Sequence, residues 1–236
     1  MSPSTDKDAK PPPITLSEVR FAAFEPKDAD RLAAFHALIR DSIADTRNFE
    51  ARDQAFFAAH TGDKGWTHGL LLHDEIIAVN VIVRDIEDYR RHWVCPFEET
   101  LFRRPIAWCT GFGIHPKYQH GEARPLTSMT RVAYLRGLGF KGELGAVFPS
   151  NFRTRVRSML DGKTVLVGVF YDRTGWNHLL TGDGTCIPEL LPERAERWVS
   201  SMDEAGILTC LREHMAGVTA RRVDARYEIG FGRLRG

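Results

Sequence analysis

No stretch of this 236-residue chain approaches the roughly 18 uninterrupted apolar residues of a membrane span. Its opening, MSPSTDKDAKPPP, has no apolar core of a secretory signal. No C-x-x-C pair occurs, because Cys95, Cys109, Cys186 and Cys210 stand singly; this argues against a zinc knuckle and against a dithiol redox motif. Charge of one sign is missing too. The net charge of +1 gives no reason to expect general attraction to nucleic acid or to an anionic membrane. A G-x-S-x-G elbow is absent, which weakens a hydrolase reading built on Cys109 or His115. What remains is 43% hydrophobic and 27% charged, an ordinary composition for a folded soluble protein. The expectation is a cytoplasmic protein without a metal centre.

Residues 1–13 offer nothing to bury and are expected to be a disordered tail. A strand-like stretch over 16–25 precedes an amphipathic helix over 27–45, where Leu32, Phe35, Leu38, Ile39 and Ile43 recur at helical steps. A weaker helical stretch covers 50–60. Two apolar runs over 67–86 meet at His73-Asp74-Glu75 and predict an antiparallel hairpin. After an Arg-rich and aromatic connection, IAWCTGFGI (106–114) reads as a strand whose glycines mark a bulge or a close backbone approach. Pro125 to Leu138 predicts a second helix, and Gly137 and Gly139 supply its stop. Strands over 142–148 and 163–172 flank a short helix over 150–160. In the tail, 188–215 reads as helical and 225–232 as a last strand. The fold class is mixed α/β with a mixed sheet, in one domain over 14–173 with a C-terminal extension, 174–236, packed on it.

The stretch from Gly113 to Leu126, GIHPKYQHGEARPL, joins the strand to the second helix. Successive backbone N–H groups at such a loop and helix start converge and carry partial positive charge, which suits a pyrophosphate. Together with the order of elements around it, the stretch resembles the GCN5-related N-acetyltransferase superfamily over roughly 16–172. Ile114, Pro116, Tyr118 and Gln119 fit that family's strand end and loop, and Gly121 and Ala123 fit its small-residue ending. The loop departs from the pattern by one residue, with only His120 between Gln119 and Gly121.

The resemblance implies that acetyl-CoA or another acyl-CoA lies on Ile114, Gln119, His120, Gly121, Glu122, Ala123 and Arg124. Pantetheine would insert between splayed strands 106–114 and 142–148, and Asn151 would touch it. The family's thiolate-protonating tyrosine falls on Ser158, a far weaker acid, so Tyr171, Tyr134 or water would have to substitute.

A protonated amine must lose a proton before it attacks a thioester. The strand 106–114 contains no carboxylate, which leaves Asp85, Glu87, Glu98 and Glu99 as candidate bases, although each reads more simply as a solvated surface group. His115 titrates near neutrality beside the loop, or simply fills the position before a structural proline. Cys109 is a nucleophile candidate or a small buried residue. Trp66, Trp93, Trp108, Phe97 and Phe102 line an acceptor pocket or belong to the core.

The reading that follows is an acyl-CoA-dependent N-acyltransferase, acetyl by default, acting by direct attack of a small-molecule amine or amino acid. The same fold resembles long-chain N-acyl amino acid and acyl-homoserine-lactone synthases, which keeps a longer acyl group open. A catalytically silent CoA- or nucleotide-binding module is the rival class. The extension is open to two uses, contact with a second subunit as a homodimer or a cap on the acceptor site.

Overall fold

A computed structural model describes residues 16–43, 46, 49, 52–119, 122–173, 175–182, 190 and 194–234. The expected tail over 1–13 lies outside them, as do His120 and Gly121. The order begins with β1 (Val19–Ala23), α1 (Ala29–Asp41), α2 (Gln54–His60), β2 (Gly65–Leu72), β3 (Glu75–Val83), α3 (Glu87–Arg90), β4 (Trp93–Val94), α4 (Glu98–Leu101), β5 (Ile106–Ile114) and α5 (Ala123–Gly137). It continues with β6 (Gly142–Val147), α6 (Val156–Leu160), β7 (Leu166–Asp172), β8 (Gly175–Thr181), β9 (Arg197–Ser200), α7 (Glu204–Arg212), β10 (Met215–Val223) and β11 (Arg226–Arg233). One mixed sheet runs β1-β2-β3-β5-β6-β8-β7-β10-β11-β9, and β4 pairs with β7.

Local chemistry explains the elements that position the centre of this sheet. The Asp53 side chain accepts from the Phe56 amide at 2.8 Å and caps α2. His73 takes a left-handed φ of 55° to close the β2–β3 turn. Gly139, at φ +89°, ends α5 where a side chain would be strained. In β5, Cys109 faces Ile82 and Gly111 faces Val81, so Thr110 is an extra residue, a β-bulge.

The two faces of the sheet bury different helices. Val79 and Val81 pack with Leu32, Phe35, Ile39 and Phe57 of α1 and α2. Burying a leucine such as Leu32, 0% exposed, contributes roughly 2 kcal/mol. On the opposite face, Ala78 and Ile114 pack with Tyr118 and Ala123 at the start of α5, and Ile82 and Ala107 with Leu135 farther along. Gly113 lies on the α1 face, where a Cβ would run into Ile39.

The tail differs from its expected form. The segment 188–215 is not one helix: Arg197–Ser200 is a strand paired with β11, and a helix starts only after Asp203, whose carboxylate accepts from the Gly206 amide at 3.0 Å. Strands β8 and β10 are additional to expectation. The β7–β8 hairpin crosses the expected boundary at 173/174, and β8 lies between β6 and β7, so the central sheet runs on to Thr181. Strands β9, β10 and β11 then extend it from β7. Among the described residues no helix is long and apolar enough to cross a membrane.

Candidate acyl-donor site

β5 and β6 are parallel and pair through Ile106↔Gly142, Ala107↔Glu143, Trp108↔Leu144 and Cys109↔Gly145. Beyond Cys109 the two strands continue to Ile114 and Val147 with no register between them. The facing edges therefore part at the bulge. His115 donates its amide to the Ile77 carbonyl at 2.9 Å, on the β3 side. By strand alternation, Ile114 and Phe112 turn their backbone groups into the opening.

α5 begins beside this opening. Its first-turn amides have no helical acceptor, and Ala123, 0% exposed, lets the helix start press against the sheet. Arg124 reaches from the helix to the segment after β6, donating from Nη2 to the Thr154 carbonyl at 3.0 Å. Gln119 donates from Nε2 to the Ile114 carbonyl at 3.5 Å. Glu122 is exposed just before the helix. Asn151 is exposed in the segment that contains Thr154, and its carbonyl accepts from the Thr154 hydroxyl at 2.9 Å. Ile114, Gln119, Glu122, Ala123, Arg124 and Asn151 thus lie around one opening. His120 and Gly121 lie outside the described residues. An extended chain carrying amides and ending in phosphates suits unpaired strand edges that lead to a helix N-terminus.

The expected catalytic groups are placed differently. Ser158 is buried in α6, which packs on β10, and its hydroxyl shares a hydrogen bond with Thr164 at 2.7 Å. Tyr171 donates its hydroxyl to Glu204 of the extension at 2.7 Å, and burial, with that carboxylate, pushes its pKa up to about 12. Each hydroxyl is thus engaged with another protein side chain, Thr164 or Glu204. Glu87 pairs with Arg90 at 3.1 Å just past Val83, which faces Trp108 below the opening; it stands at the closed end. Glu98 likewise accepts from Arg90 and from the Trp93 indole. His115 accepts from the Lys117 amide at 3.2 Å through Nδ1 and faces Glu75 through Nε2 at 3.3 Å. Burial lowers its pKa against the opposing pull of Glu75. Burial and Glu143 raise the pKa of Cys109 well above that of a reactive thiol.

Two features are additional to the sequence reading. On the α1 face, an apolar hollow beside β5 is lined by Phe35, Ile39, Phe57, Val79, Gly111 and Gly113. On the α5 face, Arg131 meets Glu143 of β6 at 2.9 Å, their side chains 5% and 2% exposed. One signal was available for that pair: an arginine four residues from Thr127 and four from Leu135, both fully buried on the same helix stripe.

No protein-family profile matches the chain, and a search of curated proteins finds no match. Solved structures do match in fold. The polyamine N-acetyltransferase of Drosophila melanogaster, described as forming N-acetylagmatine, superposes with a TM-score of 0.50 at 14% identity, covering 70% of this chain and 98% of that one. The ribosomal-protein-S18-alanine N-acetyltransferase of Escherichia coli gives 0.49 at 13% identity over 72% and 95%. The PaiA N-acetyltransferase of Thermoplasma acidophilum, solved with coenzyme A, gives 0.48 at 8% over 70% and 98%. With its parted parallel strands and the helix that starts beside them, the chain has the fold of the GCN5-related N-acetyltransferase superfamily, enlarged by a C-terminal extension of strands.

Proposed function

We propose that this chain is an acyl-CoA-dependent N-acyltransferase. The observation that carries the reading is the parting of β5 and β6 after Cys109↔Gly145, directly beside the start of α5. The pantetheine arm of the donor would pair with the free edge of β5, and its pyrophosphate would meet the α5 amides and Arg124. A backbone N–H of Phe112 or Ile114 would bond the thioester oxygen and hold the negative charge that grows there. A neutral amine attacks the thioester carbon, forming the C–N bond. The C–S bond breaks, the thiolate leaves, and the amine's surplus proton passes to solvent.

The apolar hollow bordered by Gly111 and Gly113 has a volume of only about 10 Å³, room for one small group, which favours acetyl over a long acyl chain. Thermal unfolding with excess coenzyme A, acetyl-CoA and a long-chain acyl-CoA tests both readings. At a hundred times its dissociation constant, a ligand adds about 2.7 kcal/mol to the native state. For a chain of this size that is an upward shift of about 5–10 °C. The largest shift identifies the donor, and release of free thiol with a panel of amines then tests transfer. No shift with all three removes the reading.

Arg124→Ala is expected to raise the dissociation constant of coenzyme A about tenfold, the loss of one charge-assisted phosphate bond. That difference should shrink as salt rises from about 0.05 to 0.5 M. Calorimetric titration at the two salt concentrations checks it, and a salt-independent change would place Arg124 away from the phosphates.

A further inference from the structure

We propose that the buried Arg131–Glu143 pair is the pivot that fixes how far β5 and β6 part, so that these two side chains position the donor opening without touching the donor. The proposal rests on the acyl-donor reading of that opening.

The sheet has two halves, β1-β2-β3-β5 and β6-β8-β7 with the extension, and among the described residues their strands are joined by the four registered pairs of β5 and β6. α5 packs on β2, β3 and β5 of the first half. Arg131, midway along α5, nevertheless crosses to Glu143 on the first strand of the second half. Glu143 stands opposite Ala107, two residues before the last registered pair. Its Oε2 lies 4.0 Å from the Cys109 sulfur. Its carboxylate is pressed against Gly182, where a Cβ would overlap it, and the Gly182 amide donates to the Glu143 carbonyl at 3.0 Å. The carboxylate therefore fits here because position 182 carries no side chain.

Arg124 completes the geometry. It precedes Arg131 by seven residues, two helical turns or about 10 Å, so the two lie on one side of α5. Both reach into the second half, Arg124 to the exposed Thr154 carbonyl at the mouth and Arg131 to a buried carboxylate at the vertex. α5 thus spans the parting at both ends. The mouth is held by a bond to a neutral carbonyl, the vertex by a charge pair excluded from water. Stability alone does not account for such a pair, since well-packed apolar residues of similar volume replace buried ion pairs at little or no cost. What apolar side chains lack is direction, and here direction sets the angle between two strands.

The test uses the full chain with Arg131→Met, Glu143→Leu, the double variant and Arg131→Lys. Arg131→Met takes a buried cation from Glu143 and Glu143→Leu takes the buried anion from Arg131, and each should lower the thermal midpoint by about 10 °C. The double variant should recover to within a few degrees of the parent. Yet without ligand its amides over 106–109 and 142–145 should exchange at least tenfold faster, and it should bind coenzyme A at least tenfold more weakly. Arg131→Lys should keep part of that affinity. Parental exchange rates, or parental affinity in the folded double variant, would overturn the proposal. If the unmodified chain binds no coenzyme A, the acyl-donor reading falls, and the exchange rates alone then decide the pivot.

Discussion

Acidification from pH 7.5 to pH 5 is expected to remove about 4 kcal/mol of folding stability, through His68 and His178. Both side chains are fully buried, in β2 and β8. Burial first, and then the Arg131 charge, pushes the His68 pKa down to about 3. Among the described residues neither of its ring nitrogens has a hydrogen-bond partner. Burial pushes His178 down to about 4, against a backbone contact at Ser201.

In the unfolded chain both titrate near 6.5, so below that pH the unfolded state binds protons that the native state refuses. Stability is therefore full above pH 6.5 and declines as pH falls toward the native values. At pH 5 each histidine has lost about 1.5 units, or about 2 kcal/mol. His36, held near 4 by burial and by Arg52 and Arg40, acts with the same sign. Urea unfolding at the two pH values measures the loss, and His68→Leu should remove about 2 kcal/mol of it. A flat pH response would show that the native fold accommodates these charges.

Trp108→Ala is expected to cost about 4 kcal/mol, the range for a fully buried aromatic cut to alanine. Trp108 is 1% exposed, with ring centroids 5.2 Å from Tyr89, 5.6 Å from Trp93 and 5.1 Å from Phe170. Tyr89 and Trp93 belong to the connection before β5 and Phe170 to β7, so the indole joins the two halves of the sheet from the α1 face. Trp108→Phe is the control. It keeps an aromatic ring and removes an indole N–H that has no hydrogen-bond partner among the described residues, so its cost should stay below about 1.5 kcal/mol. The alanine variant should melt about 10 °C lower than the parent. Equal midpoints for the two variants would mean that the cluster repacks around the loss.

The central elements were legible because each carries a local signal. Alternation and two glycines mark β5, a period of 3.6 marks α1 and α5, and Gly139 stops α5 where it is needed. The tail was not, because its signals compete. Leu190, Leu191, Trp198 and Met202 fit a helical spacing, yet Trp198 and Val199 become a strand once β11 is there to receive them, and Asp203 restarts the chain as a helix. β8 buries Asn177 and His178 beside Leu179 and Leu180, so no alternation marks it, and its place between β6 and β7 is decided by its neighbours. The strand end and helix start that frame the opening could be placed from the sequence because a loop motif reports them. The acid and base could not. Ser158 follows from counting along the chain, whereas its bond to Thr164 and the bond of Tyr171 to Glu204 arise from packing between distant segments. Arg131 and Glu143 are twelve positions apart, and nothing local says that α5 will carry one over the other.

The extra residue in β5 has a consequence for how such a strand tolerates shifts of register. Below Thr110 the α1 face receives Ile106 and Trp108, and above it Gly111 and Gly113. The strand changes phase at one residue, and the same face passes from its bulkiest side chain to none. If the bulge closed, with Thr110 taking the place opposite Val81, Phe112 and Ile114 would turn onto the side now occupied by glycines. The hollow would fill with its own strand, although every residue that lines it would still be encoded. In this protein the space beside the opening is a property of parity, and a one-residue slip of register would erase it more completely than any single substitution.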